Sequence, residues 1–188
     1  MRTSETHPLY VDFVQIESDQ IRGKLGLTFA PGKCHPSPTG DWARDLDEDL
    51  ARLREHWKTD LLVSLIEGHE FERLHIPKLL DRVNEHAMNV IWFPIRDQSV
   101  PTSVTEFHKV VTKINDALRS GQTVIVHCMG GLGRSGLVVA ACLVALLKII
   151  PEEAIAKTRK ARAAAIQTPE QEEYILTYYD FILRQNSG

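Results

Sequence analysis

The chain has 188 residues, of which 22 are basic and 25 acidic, giving a net charge of −3 at pH 7. Apolar residues make up 43% of the chain and charged residues 25%, which excludes a disordered chain, a collagen-like fibre and a disulfide scaffold. The weakly acidic balance also argues against nucleic-acid binding, because neutralising phosphates requires a basic face.

Strand and helix patterns follow one another along the chain and predict an α/β fold in one compact domain over residues 1–188. The first two predicted strands leave no room for a helix between them, so we expect a hairpin at one edge of a sheet. From residue 61 strands alternate with helices, which predicts a largely parallel central sheet flanked by helices. In chain order the predicted elements are strands 11–16 and 26–30, a loop at 31–41, a helix at 41–57 capped by Asp41, strand 61–66, helix 76–86, strand 90–95, helix 104–120, strand 123–127, and helices 135–148, 151–162 and 168–184.

The longest uninterrupted apolar stretch, residues 137–147, predicts a buried central helix. A membrane span requires about 20 apolar residues, so we expect no membrane association. The sequence begins without an apolar signal-like run, and three cysteines are a sparse, odd count typical of reduced thiols. We therefore expect a cytoplasmic protein, and a monomer.

Residues 123–136 read TVIVHCMGGLGRSG, an apolar strand that enters a glycine-rich turn and then the most apolar helix. Such a turn at a helix N-terminus is a typical anion site. The three glycines Gly131, Gly133 and Gly136 also spell GxGxxG, but a dinucleotide site needs a following strand that carries an acid, and only helices follow. A nucleotide P-loop is excluded, because Arg134 stands where its lysine belongs.

The spacing of Cys128 and Arg134, in the pattern HCx5RS, predicts a phosphate site with a nucleophile. A cysteine at a helix N-terminus, among amide groups and beside an arginine, is a thiolate near neutral pH. The loop from Cys128 to Arg134 can close around one tetrahedral anion, with the guanidinium binding two oxygens. The expected phosphate-binding residues are Met129, Gly130, Gly131, Leu132, Gly133 and Arg134.

The residues that flank this pair have predicted supporting roles. Ser135 can donate a hydrogen bond to the sulfur of Cys128 and ease its departure. His127 points to the opposite side of its strand and is interpreted as orienting the loop backbone. Of the other cysteines, Cys142 is expected to be a buried apolar residue. Cys34 is expected to be a surface or half-buried thiol without a specific role, with redox pairing as the alternative.

Expelling an alkoxide or phenoxide requires a proton donor, for which Asp97 is the candidate. It lies in a loop after the strand at 90–95, so parallel strands bring it to the same sheet edge as Cys128. Glu67 and Asp60, at the two ends of the preceding strand, are the alternatives.

The motif and the upstream aspartate resemble those of the cysteine-dependent protein tyrosine and dual-specificity phosphatases, and most nearly the kinase-associated phosphatase (cyclin-dependent kinase inhibitor 3) family. The resemblance spans about residues 25–185. Four segments carry it: PGKC at 31–34, IPKLLD at 76–81, CMGGLGRSG at 128–136 and AIQTPEQ at 165–171.

This resemblance implies a central sheet of about five strands and a two-step reaction without metal or cofactor. It also implies that Gln167, with Gln171 as a further candidate, orients the hydrolytic water. The sequence departs from the family at Gln98, Ser99 and Val100, which replace a small glycine-rich run, so the preferred leaving group stays open.

The expected partner is a phosphorylated protein that carries a single phosphomonoester, because the loop interior has no lysine for a multiply charged head group. Four cations at 157–162 are interpreted as a solvated helix face, with docking of an acidic phosphoprotein as the alternative. Two other function classes stay open: a non-catalytic phosphate-binding module on the same fold, and another cysteine enzyme such as a sulfurtransferase or arsenate reductase.

Overall fold

The structure is a computed structural model and describes residues 1–36 and 40–185. Its elements in chain order are β1 (Asp12–Phe13), β2 (Lys24–Phe29), β3 (Cys34–His35), β4 (Trp42–Ala43), α1 (Leu46–Glu55), β5 (Leu61–Ser64), α2 (Gly68–Arg73), α3 (Leu79–Glu85), β6 (Asn89–Trp92), α4 (Val104–Arg119), β7 (Thr123–Cys128), α5 (Gly133–Leu147), α6 (Pro151–Ala161) and α7 (Pro169–Gln185).

The central sheet has five strands in the order β1-β2-β7-β5-β6. Strands β2, β7, β5 and β6 run parallel, while β1 pairs antiparallel with β2 at one edge. The predicted α/β fold, with a largely parallel sheet and an edge hairpin, is confirmed. Because Phe29 pairs with Cys128 and Ser64 with His127, the carboxyl ends of β2, β7 and β5 lie side by side.

Apolar side chains alternate between the two faces of the sheet, as the two-residue period of a strand requires. Val124 and Val126 face a core built with α4, α5, α6 and α7, whereas Ile125 faces a second core with α1, α2, α3 and the N-terminal segment. Helix α5 is buried from Gly133 to Val144 and is central, as predicted. Within the described ranges, no helix has the length and apolarity that crossing a bilayer requires.

The helix predicted to start at Asp41 begins instead at Leu46, and Asp45 is its N-cap, accepting the backbone N–H of Glu48 at 2.9 Å. Asp41 and Asp45 are both suitable N-cap residues, and the helix starts after the second of them. Trp42 takes part in β4, which pairs with β3, so part of the predicted loop at 31–41 is a two-stranded ribbon. Residues 37–39 of that loop lie outside the described residues.

Two further differences concern short elements. Helix α2 was not predicted, because six residues are too few to show a helical period. The predicted strand 11–16 is reduced to the two residues of β1, and the helix predicted at 76–86 spans Leu79–Glu85. The helices predicted at 104–120, 135–148, 151–162 and 168–184 are confirmed as α4 to α7, with every end within two residues of its predicted position.

Candidate active site

The glycine-rich loop joins the end of β7 to the start of α5, in the middle of the sheet's carboxyl edge. Cys128 is the last residue of β7, and only 4% of its side chain is exposed. Its Sγ accepts a hydrogen bond from the backbone N–H of Gly131 at 3.2 Å. The loop therefore curls back over the sulfur, as an anion cradle around a nucleophile requires.

Gly131 is the tightest point of this loop. Its φ is +68°, and a Cβ there would lie 2.3 Å from the carbonyl carbon and oxygen of Thr28. Only glycine adopts this conformation without strain and leaves room for the backbone of β2. The curl of the loop is thus fixed by a glycine packed against the neighbouring strand.

Arg134 lies in the first turn of α5 and is almost fully buried. Its Nη1 donates to Glu70 Oε2 at 2.6 Å and to the carbonyl of Ile95 at 3.0 Å, and its Nη2 donates to Glu70 Oε1 at 3.0 Å. Burial alone would lower the pKa of Arg134. The hydrogen bonds to Glu70 and the electrostatic effect of nearby Cys128 outweigh burial, so the pKa of Arg134 is raised above its usual value. Its buried Nε has no hydrogen-bond partner among the described residues.

Glu70, in α2, is a site residue that sequence reasoning missed. Burial disfavours its charge, but hydrogen bonds from Arg134 and from the backbone N–H of Glu67 outweigh burial and hold the pKa of Glu70 below its usual value. The available signal was the Glu67-x-x-Glu70 pair after β5, which forms a reciprocal capping box at the start of α2. That pattern predicts a helix start, but it does not reveal the partner 64 residues away.

The structure brings Asp97 to the same edge of the sheet as Cys128. Its Oδ1 lies 3.0 Å from Arg134 Nη2, and 44% of its side chain is exposed. Of the two alternatives, Asp60 lies at the opposite edge, where it accepts the backbone N–H of Thr123. Glu67 caps α2. Of the three carboxyl groups considered from the sequence, Asp97 is therefore the one that contacts Arg134.

Ser135 does not make the predicted hydrogen bond to Cys128. Its buried Oγ has no partner among the described residues, and the sulfur accepts the N–H of Gly131 instead. His127 is completely buried, with Nδ1 3.4 Å from the carbonyl oxygen of Cys128. Burial lowers the pKa of His127 to about 4, so the imidazole is neutral at pH 7, and its role in orienting the loop stays a prediction.

Two glutamines connect the loop to α7. Gln167 Oε1 accepts the backbone N–H of Gly133 at 3.1 Å, and the backbone N–H of Gln167 donates to Gln171 Oε1 at 2.9 Å. Gln171 is fully buried, and its Nε2 donates to the carbonyl of Ser99 at 3.1 Å. The glutamines thus join the phosphate loop to the loop that carries Asp97.

Several residues singled out in the sequence lie away from this centre. Cys142 is buried in α5, where burial raises the pKa of its thiol, and the Cys34 thiol donates to the carbonyl of Arg44 at 3.3 Å. Among the residues that the structure describes, no His, Cys, Asp or Glu cluster could hold a metal ion. The four cations at 157–162, interpreted from the sequence as a solvated helix face, all have polar partners within the chain: Lys157 with Glu17, Arg159 with Glu172, Lys160 with Gln15 and Arg162 with Asp12. Of these four, Arg162 also reaches the glycine-rich loop, where it donates to the carbonyl of Gly130 at 3.0 Å.

Comparison with known proteins places this site in a family context. Residues 65–181 match the family model described as dual specificity phosphatase, catalytic domain. "Cyclin-dependent kinase inhibitor 3" of Homo sapiens is 30% identical over 179 residues, covering 94% of this chain and 81% of that protein. A crystal structure of kinase associated phosphatase, with its catalytic cysteine substituted by serine, matches with a TM-score of 0.84 and 26% identity, covering 94% of this chain and 97% of that one. The active form of Tk-PTP matches with a TM-score of 0.69 and 27% identity, covering 90% and 97%.

Proposed function

The chain belongs to the dual specificity phosphatase family, and from that premise we propose that it hydrolyses phosphomonoesters on proteins through a phosphocysteine at Cys128. It is a protein phosphatase of the tyrosine and dual-specificity type. The observation that supports the mechanism is the arrangement of four groups at one edge of the sheet: the amide of Gly131 lies 3.2 Å from the sulfur of Cys128, and Arg134 lies 3.0 Å from Asp97.

In the first step the thiolate of Cys128 attacks phosphorus, a sulfur–phosphorus bond forms, and the ester oxygen leaves with the bonding electrons. Asp97 donates a proton to that oxygen, so that an alcohol or phenol departs. The amides of residues 129–134 and the guanidinium of Arg134 hold the three remaining oxygens during the transfer, for which the amide of Gly133 exchanges its bond to Gln167 Oε1 for one to phosphate. Buried Glu70 fixes the plane of that guanidinium through two hydrogen bonds.

In the second step water attacks the phosphocysteine, and the sulfur leaves as a thiolate. Asp97, now a carboxylate, accepts the proton of the water. Gln167 orients this water. The side-chain oxygen of Gln171 holds Gln167 in place by accepting the backbone N–H of Gln167. Ser135 stabilises the departing thiolate, for which its unpartnered hydroxyl is available. Inorganic phosphate and the starting thiolate are the products.

The proposed substrate is a phosphorylated protein that presents one phosphomonoester. The side chains within the loop are those of Met129 and Leu132 and are uncharged, so the loop's own side chains offer no charge to a second phosphate. The relative named cyclin-dependent kinase inhibitor 3 does not by itself define the substrate of this chain. Phosphotyrosine and phosphothreonine peptides are therefore both included in the test.

The test is a phosphopeptide panel assayed with the wild-type protein, with Cys128→Ser, and with Cys34→Ser as a matched control. Cys128→Ser should lose turnover but still bind phosphopeptide, because an alcohol is not a nucleophile near neutral pH and the amide loop remains. Residual turnover above about a tenth of wild type would refute the covalent mechanism. A wild-type protein that binds phosphopeptides without releasing phosphate would instead be a phosphate-dependent binding module.

A further inference from the structure

Two cations from outside the glycine-rich loop, Lys33 and Arg162, bind the carbonyl groups of its first residues. Lys33 Nζ donates to the carbonyl oxygen of Met129 at 3.2 Å, and Arg162 Nη2 donates to that of Gly130 at 3.0 Å. The backbone N–H of Ala30 also donates to the Met129 oxygen, at 3.3 Å. Both carbonyl groups are therefore held on the outer side of the loop.

In a trans peptide the C=O and the following N–H point in opposite directions within one plane. The described residues contain no cis peptide bond, so this geometry applies throughout the loop. A carbonyl held outward at Gly130 turns the N–H of Gly131 inward, and that N–H is indeed the one that donates to Cys128 Sγ. By the same reasoning, the bond from Lys33 to Met129 turns the N–H of Gly130 towards the anion site.

Lys33 is held firmly in this position. Only 5% of it is exposed, and its Nζ lies 4.6 Å from the ring centroid of Phe29 and 4.2 Å from that of Trp42. Two aromatic faces and one carbonyl oxygen thus fix the ammonium group, which has no carboxylate partner among the described residues. A buried, unneutralised cation is costly, which indicates that the site gains something from its charge.

We propose that Lys33 is a positioning residue of the phosphate site, orienting the peptide between Met129 and Gly130 and adding positive charge beside the bound oxyanion. This proposal rests on the function proposed above, since it assigns Lys33 to the same anion site. Lys33 acts through that peptide and through its field rather than by touching substrate. The residue stands in the PGKC segment, far from the signature motif in the sequence.

The charge of Lys33 can be lost within an accessible pH range. Burial, together with the positive charge of Arg44, lowers the pKa of Lys33 to about 8, although Cys128 opposes this. Lys33 is therefore charged below pH 8 and neutral above it, so its contribution to oxyanion binding should disappear as the pH rises. The charged or titratable groups that face it are Arg2, Arg44, Cys128 and Arg162, of which Arg44 pairs with Asp49 and Arg162 with Asp12.

The experiment measures tungstate binding by calorimetry between pH 6.5 and 10, in a protein that carries both Cys128→Ser and Cys34→Ser. Tungstate remains a dianion over this range, and the two substitutions leave no thiol at residues 34 and 128. Because Cys128 is among the groups that raise the pKa of Lys33, its substitution moves the loss of the Lys33 charge to lower pH. With Lys33 intact, we therefore expect the affinity to fall about ten-fold or more between pH 6.5 and 10. Lys33→Arg, whose guanidinium stays charged and can stack on the same rings, should keep the affinity high at pH 10.

Lys33→Met should bind tungstate about ten-fold or more weakly at pH 7 and show no further fall at high pH. The matched control, Lys109→Met, removes an exposed cation paired with Glu106 and should keep the parent profile. Should Lys33→Met lose its thermal unfolding transition, the comparison of Lys33→Arg with the parent decides alone. A parent affinity that does not depend on pH, or an equal fall in Lys33→Arg, overturns the role of Lys33 but not the proposed function. Failure of the parent to bind tungstate at any pH overturns both.

Discussion

Replacing Glu70 with glutamine removes the charge that is paired with Arg134 and keeps the size of the side chain. Glu70 Oε2 accepts from Arg134 Nη1 at 2.6 Å and from the N–H of Glu67 at 2.8 Å, while Oε1 accepts from Arg134 Nη2 at 3.0 Å. The amide oxygen of glutamine can occupy the Oε2 position and keep the first two bonds. Its NH2 group then faces Arg134 Nη2, so that two hydrogen-bond donors oppose each other and this third bond is lost.

The expected cost follows from this geometry. One hydrogen bond between charged groups is lost, worth about 1.5–3 kcal/mol. Complete removal of the partner, in Glu70→Ala, leaves a buried uncompensated guanidinium and should cost about 3–5 kcal/mol. We therefore expect Glu70→Gln to lower the free energy of unfolding by about 2–3 kcal/mol. The loosened guanidinium should also lower kcat/KM by about 10- to 100-fold, since each 1.4 kcal/mol of lost transition-state binding is ten-fold.

Urea unfolding and phosphopeptide kinetics at pH 7 measure the two effects, with Glu72→Gln on the exposed face of the same helix as control. Because the pKa of Glu70 lies below its usual value, its ionised form stabilises the fold above pH ~4.3, and this stabilisation is lost as the pH falls through the folded-state pKa. The difference in unfolding free energy between wild type and Glu70→Gln should therefore narrow in acid. Equal stability and kinetics in the Glu70 and Glu72 variants would refute the argument.

Three other substitutions or conditions give separate tests. Asp97→Asn should lower kcat/KM by about 10²–10⁴ for phosphothreonine, less for phosphotyrosine and least for an activated aryl phosphate, because a good leaving group needs little protonation; equal slowing of all three would contradict this. The pKa of His127 is lowered from 6.5 to about 4, so urea unfolding should show stability that is complete above pH 6.5 and declines towards pH 4 by up to about 3 kcal/mol, a decline that His127→Gln should lack. Gly131→Ala should lower the unfolding free energy by at least about 1–3 kcal/mol, because its Cβ would meet Thr28 at 2.3 Å. Gly130→Ala, whose Cβ meets only Leu132 Cδ1 at 4.0 Å, should cost less, and equal costs would count against the role assigned to Gly131.

The sequence was sufficient to predict those site residues that share one continuous segment or whose position follows from the direction of a strand. Cys128 and Arg134 stand in one continuous segment, and the apolar strand and helix on either side are easily recognised. Asp97 could be placed because parallel strands bring their carboxyl ends to one edge, and the structure brings it within 3.0 Å of Arg134. The roles of these residues in turnover stay predictions until kinetics test them.

The sequence was insufficient to predict those site residues whose partner lies far away in the chain. Glu70 lies in a six-residue helix that has no detectable period, and its contact with Arg134 is purely tertiary. Lys33 stands in a segment that was predicted as a loop, and nothing local indicates that its ammonium group reaches the carbonyl of Met129. The hydrogen bond predicted from Ser135 to Cys128 is not formed in the structure, and the role of Ser135 in the second step stays a prediction.

The contacts that shape the phosphate loop have a consequence for the order of folding. Sequence separations of 96 residues for Lys33–Met129, 64 for Arg134–Glu70 and 34 for Gly133–Gln167 make them long-range contacts. Closing chain segments of that length is entropically costly, so such contacts form late. The hydrogen of the Gly131 amide should therefore gain protection from solvent exchange only in chains in which these long-range contacts have formed. Oxyanion affinity would then be an all-or-none reporter of complete folding, absent from any partly folded chain.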